Sequence, residues 1–117
     1  MIKYYGYNQC GTCRKAKSYL ASKKISFTEI DITTNPPPRS VLEAILEQGD
    51  YTLPELFNRS GEMYRSLKIK EKIKTTPESK LLDLLSKNGK LIKRPIVTDG
   101  KRATVGFDEA RMKTTWS

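Results

Sequence analysis

"GYNQCGTCRKAK", residues 6–17, decides the fold and frames the chemistry. It places the only two cysteines of the chain, Cys10 and Cys13, three positions apart. The apolar run "IKYY" precedes it and a stretch with helical spacing follows, so the pair falls where a strand gives way to a helix. At such a junction the first backbone N–H groups of the helix lack partners, and the positive end of the helix dipole favours an anion. Three readings compete for the pair: core filling, half of a metal site, or reactive thiols. Zinc wants about four ligands from Cys, His or carboxylate, and two Cys with no His make a poor set, so no metal is expected. A permanent disulfide between near neighbours closes too short a loop to constrain much, and a reducing cytosol opposes it. Reactivity explains the pair better. Without histidine, local electrostatics must make the thiolate.

Working outward, 117 residues with 37% hydrophobic content suit one domain, 1–117, with one core. No run of about 18 apolar residues offers a membrane span, and "MIKYYGYNQ" lacks the long apolar stretch of a secretory signal. The expectation is a cytoplasmic protein with no membrane contact. Twenty-two Lys and Arg against 13 Asp and Glu leave a formal charge of +9, which favours anionic partners. These charges are dispersed. The densest stretch, "RSLKIKEKIK" from Arg65 to Lys74, has no interleaved aromatics and no basic-region heptads. It reads as a solvated face, and direct nucleic-acid binding is not expected.

The first strand, "IKYYG", leads into a helix from Thr12 to Lys24, with Thr12, Ala16, Tyr19, Leu20 and Lys23 at helical spacing. "SFTEIDI" alternates as a strand and "TTNPPPRS" ends it, completing a β-α-β unit. Val41, Leu42, Ile45 and Leu46 make a helical stripe from Arg39 to Gln48 that stops at Gly49, and "LPELFN" suggests a further short turn. "TPESKLLDLLSKNG" is the clearest helix, with Thr76 as its cap, Pro77 in its first turn and Gly89 as its stop. "RPIVTDGKRATVGF" holds two strands joined around Asp99-Gly100, a hairpin signal, and "DEARMKTTW" closes with a short helix. A β-α-β crossover makes its strands parallel, whereas the hairpin makes its strands antiparallel. The predicted fold is α/β: a thioredoxin-like (glutaredoxin-like) mixed four-stranded sheet from residues 1–34 and 91–117, with residues 35–90 as an inserted helical subdomain.

In this arrangement Cys10 sits at the amino end of the first helix and should attack, with Arg14 and Lys15 nearby to lower its pKa. Cys13, one turn on, should resolve the resulting adduct or mixed disulfide. In thioredoxin-like proteins a proline before the hairpin strand is cis and packs beside the reactive cysteine. Arg94-Pro95 stands at that place, so Pro95 is expected cis and Arg94 is expected to point into the site. Gly11, Thr12 and Arg14 make up the surrounding helix start.

"CGTCRKA", "LFNRSGEMYRSL" and "LIKRPIVTDGKRATVGF" together resemble the arsenate reductase (ArsC)/Spx family nearly end to end. In reductases of this family a cysteine attacks arsenate, arginines hold the oxyanion, and glutathione with glutaredoxin returns the electrons. The resemblance implies these roles for Cys10, Arg59 and Arg94. It implies no bound cofactor, with glutathione or another thiol as electron donor and a glutaredoxin or thioredoxin system as partner. Planar guanidinium forks suit tetrahedral oxyanions. The chain has Phe107 where such reductases carry a third arginine, Gly6 where they carry a histidine, and Cys13 where they usually have serine. A second cysteine is typical of the Spx branch, regulators that use the pair as a disulfide switch and bind the C-terminal domain of the RNA polymerase alpha subunit. The resemblance thus implies an arsenate reductase-like enzyme, with an Spx-like regulator as the alternative.

Overall fold

Four strands, β1 (Lys3–Gly6), β2 (Thr28–Asp31), β3 (Ile96–Thr98) and β4 (Ala103–Val105), form one mixed sheet of order β2-β1-β3-β4. They belong to a computed structural model that describes residues 2–7 and 10–116. β1 pairs with β2 in parallel, which requires a crossover, and α1 (Gly11–Ser22) supplies it. β3 runs antiparallel to both β1 and β4. The two sheet-derived predictions, a parallel first pair and an antiparallel last pair, are thus met.

Strand alternation sends Tyr4 and its register partner Val97 to one face. There they meet Cys13, Ala16 and Leu20 of α1, together with Met112 of α6 (Glu109–Thr115) and Trp116 just beyond it. The inward stripe of α1 is therefore Cys13, Ala16 and Leu20, while Thr12 and Lys23, expected on that stripe, are exposed. A shift of one position at the helix start preserves Ala16 and Leu20 and exchanges a hydroxyl for the more apolar sulfur. α1 also begins and ends one to two residues earlier than predicted. In the hairpin, Asp99 Oδ1 accepts the N–H groups of Lys101 (2.9 Å) and Arg102 (2.7 Å), which organises the loop at residues 99–102. Gly100 takes φ 93°, a left-handed value strained for any side chain.

Contacts divide the chain into two compact units: Met1–Ile32 with Arg94–Ser117, which holds the sheet, and Thr33–Lys93. The second is helical: α2 (Arg39–Gln48), α3 (Glu62–Ser66), α4 (Ile69–Thr75) and α5 (Glu78–Lys87), with 3-10 turns at Leu53–Leu56 and Gly89–Leu91. α2 packs on α5. Leu42 and Ile45 of the one and Leu81, Leu82 and Leu85 of the other are buried. Each such side chain contributes about 1.5–3 kcal/mol by leaving water. Arg39 adds a bridge to Asp83 (2.7 Å), but solvent screens so exposed a pair, so apolar packing dominates this contact. Gly49 ends α2 in the left-handed conformation (φ 88°), its N–H donating to Leu46 O, as the stripe predicted.

Thr76 is not the cap of α5. It closes α4 from the other side, donating its N–H to Lys72 O, and Pro77 takes the cap position of α5 without a side-chain bond. Proline cannot continue α4 and has no N–H to satisfy, so it separates the two helices. Asn88, rather than Gly89, caps the far end of α5, with its Nδ2 donating to Leu84 O at 2.9 Å. Among the described residues, no helix is long and apolar enough to cross a membrane.

Candidate active site

Cys10 is the N-cap of α1, with extended backbone dihedrals (φ −103°, ψ 121°). Its Sγ accepts the backbone N–H of Cys13 at 3.3 Å, while its carbonyl accepts the N–H of Arg14 at 3.0 Å to begin the helix. A sulfur in the place usually filled by a Ser or Asp oxygen lies at the positive end of the dipole and meets one of the orphan donors. Cys10 is partly exposed and Cys13 is 1% exposed, and both are free thiols.

The two thiols are driven apart electrostatically. Burial raises Cys10, but the Cys13 thiol and N–H and the Arg94 guanidinium, by charge and hydrogen bond, outweigh it and leave Cys10 below the ordinary thiol value. Burial is also the first cause at Cys13, and the hydrogen bond and charge of Cys10 add to it, so Cys13 is pushed up to about 11. The stabilising cation is Arg94, reached through the fold, where the sequence had pointed to Arg14 and Lys15 on the helix itself.

Arg94 enters the site ahead of β3. The Arg94-Pro95 peptide is cis, as expected, and Pro95 is buried with its carbonyl accepting the N–H of Gly106 at 2.8 Å. Arg94 Cζ lies 4.9 Å from the centroid of the Tyr7 ring. Gly11 and Thr12 are exposed in the first turn of α1, and a Cβ on Gly11 would meet nothing within 4 Å, so packing does not demand glycine there. Arg14 is exposed and shares with Lys15, Tyr19 and Phe107 an open surface groove of about 680 Å³. Cys10, Cys13 and Arg94 are thus brought together in the sheet-bearing unit, with Pro95 next to Arg94 in the chain. Arg59 belongs to the helical unit, exposed in a turn after Phe57.

Two tyrosines escaped the sequence reading. Tyr4, 2% exposed, donates its hydroxyl to Cys13 O at 2.8 Å, and its own pKa is raised, first by burial and then by Cys13. Its ring fills the space that a side chain on Gly6 would need: a Cβ there would come within 2.7 Å of the Tyr4 hydroxyl oxygen. Tyr7 donates its N–H to Cys13 Sγ at 3.4 Å and accepts the Cys10 N–H at 3.1 Å. Alternation along "KYYG" could have aimed Tyr4 at the helix, but no local pattern announces Tyr7.

A family-level sequence profile, that of the ArsC family, matches residues 5–115. The uncharacterized protein YusI of Bacillus subtilis is 42% identical over 116 residues, covering 99% of this chain and 98% of its own. The global transcriptional regulator Spx of Streptococcus pneumoniae is 31% identical over 113 residues, covering 97% of this chain and 84% of its own. A structure from Streptococcus mutans UA159, solved as that of a possible arsenate reductase, superposes with a TM-score of 0.90 at 33% identity. It covers 99% of this chain and 98% of its own.

Proposed function

The chain belongs to the ArsC family, and from that premise we propose that it is an arsenate reductase-like thiol-disulfide oxidoreductase using Cys10 and Cys13. One observation carries the proposal: Cys10 Sγ caps α1 and is partly exposed while its neighbour Cys13 is buried, so the pair is asymmetric. The Cys10 thiolate attacks the arsenic of dihydrogen arsenate, an S–As bond forms, and one oxygen leaves as water after protonation. Cys13 then loses its proton and attacks Cys10 Sγ. The S–As bond breaks, its electron pair stays on arsenic as arsenite, and the Cys10–Cys13 disulfide forms. Two electrons have passed from two thiols to arsenic. Two thiols of glutathione, or a glutaredoxin or thioredoxin dithiol, then reduce the disulfide and are oxidised in turn. Arg94 holds the oxyanion, because a guanidinium fork matches tetrahedral oxygens.

The test is arsenate turnover with glutathione and glutaredoxin. We expect slow but measurable reduction, absent in Cys10→Ser and lowered about tenfold or more in Arg94→Ala, since a hydrogen bond to a charged group contributes about 1.5–3 kcal/mol. Cys13, standing where these reductases usually have serine, favours a second reading: an Spx-like regulator whose disulfide state governs its binding to the C-terminal domain of the RNA polymerase alpha subunit. Absent turnover, together with binding to that domain that differs between oxidised and reduced protein, would replace the enzyme by the regulator.

A further inference from the structure

We propose that Tyr7 is a positioning residue of this site, its ring holding the Arg94 guanidinium against the Cys10 sulfur while its peptide groups tie both cysteines to one loop. Three separate contacts meet on this residue. Its carbonyl accepts from Cys10 N–H at 3.1 Å, its N–H donates to Cys13 Sγ at 3.4 Å, and Arg94 Cζ lies 4.9 Å from its ring centroid. Tyr7 itself is half-buried and packed against the core cluster that contains Cys13, and Cys10 packs on the same cluster. The ring is therefore anchored by the core and offers the arginine a fixed surface.

An arginine needs such a surface to act on a neighbouring anion. Its side chain has several rotatable bonds, and in solvent it populates many rotamers in which the charge is far from the sulfur. A cation over an aromatic face is drawn there by the ring quadrupole, and the contact biases that population by about two- to thirty-fold. Tyr7 thereby sets how much of the Arg94 charge Cys10 experiences. The peptide groups do a second job. The N–H aimed at Cys13 Sγ stabilises the charge that develops on Cys13 when it gives up its proton to attack Cys10. A single residue so serves the attacking thiol through a side chain and the resolving thiol through its backbone.

The inference rests on Cys10 as the attacking thiol, but its test needs no substrate. The pH profile of Cys10 alkylation by iodoacetamide, followed by mass spectrometry, is measured for wild type, Tyr7→Phe, Tyr7→Leu, Arg94→Ala and Tyr7→Leu/Arg94→Ala. Tyr7→Leu should move the midpoint upward by half or more of the Arg94→Ala shift, Tyr7→Phe should stay near wild type, and the double variant should shift no further than Arg94→Ala alone. An unmoved midpoint in Tyr7→Leu, or a double variant whose shift is the sum of the two singles, overturns the proposal. Should Tyr7→Leu fail to fold, the wild-type NMR spectrum decides. The Arg94 Hδ protons should lie upfield from the Tyr7 ring current, and ordinary shifts would overturn it. If alkylation behaves as expected while arsenate is not reduced, the positioning role stands and only the choice of substrate falls.

Discussion

Replacing Cys13 by alanine removes the thiol that donates to Cys10 Sγ but keeps the backbone N–H that caps it at 3.3 Å. A hydrogen bond to a charged acceptor contributes about 1.5–3 kcal/mol, and S–H is a weak donor, so the low end applies. At about 1.36 kcal/mol per unit, the Cys10 midpoint should rise by about one unit. Burial, which already opposes ionisation of Cys10, remains, so nothing offsets the loss. Below the midpoint the thiolate population then falls about tenfold. Each thiolate, being more basic, reacts about threefold faster, given a Brønsted coefficient of about 0.4–0.5. The net expectation for Cys13→Ala is alkylation of Cys10 about threefold slower on the acid side of both midpoints and faster than wild type on the alkaline plateau, so the two profiles cross. Cys13→Ser, whose hydroxyl can still donate, should track the wild type. Superimposable profiles for Cys13→Ala and wild type would refute the claim that the Cys13 side chain stabilises the Cys10 thiolate.

Further outcomes follow from the same geometry. In the reduced wild-type protein at pH 7, Cys10 should label at least about 20-fold faster than Cys13. A gap between about 11 and the ordinary thiol value of about 8.5 gives some 300-fold in thiolate, less about 13-fold in nucleophilicity, and peptide mapping of the labelled sites reads the ratio. Gly6→Ala should destabilise the protein by about 1–3 kcal/mol, because the new methyl group displaces the Tyr4 ring; an unchanged urea midpoint would contradict that packing. Asp99 is held down to about 2 against burial, by the backbone N–H groups of Arg102 and Lys101 and by the Arg102 side chain. A carboxyl depressed in the folded state contributes stability that is complete above its unfolded value of about 3.9 and is lost as pH falls towards about 2. Asp99→Asn should therefore lower the urea midpoint at pH 6 and converge with wild type near pH 2, whereas a constant difference across that window would speak against the charge as its origin.

The sequence reading succeeded where local chemistry and topology agree. Three prolines before Arg39 and glycine at 49 punctuate α2, and the Asp99-Gly100 pair announces a reversal of direction. The crossover rule then fixes which strands run parallel. Boundaries between adjoining helices were harder. Thr76-Pro77 carries the composition of a helix start, yet the same threonine also ends α4, and only the tertiary arrangement decides which helix uses it. The rotation of α1 was ambiguous because Thr12 and Cys13 are both small, and burial against Tyr4 and Val97 selects the sulfur. In the site, the cysteines and Arg94 were legible from motif and topology. Tyr7 was not, since two of its three contacts are made by peptide groups common to every residue and the third depends on a side chain far along the chain. Arg14 and Lys15 looked electrostatically important because they are near in sequence, but the fold puts a more effective cation against the sulfur.

The end of the sheet-bearing unit also supplies an optical probe. Trp116, the single tryptophan of the chain, is 2% exposed, donates its indole N–H to Thr104 Oγ1 at 3.0 Å and lies beneath Arg102, whose Cζ is 5.1 Å from the ring. Its emission therefore originates wholly from residues of the sheet-bearing unit, blue-shifted by burial and sensitive to a cation on the indole face. Far-ultraviolet circular dichroism, by contrast, draws heavily on the helices of residues 33–93. Recording both signals through one denaturant titration sets the packing of the sheet-bearing unit against the helix content of both units, α1 and α6 included, without a label or an engineered chromophore.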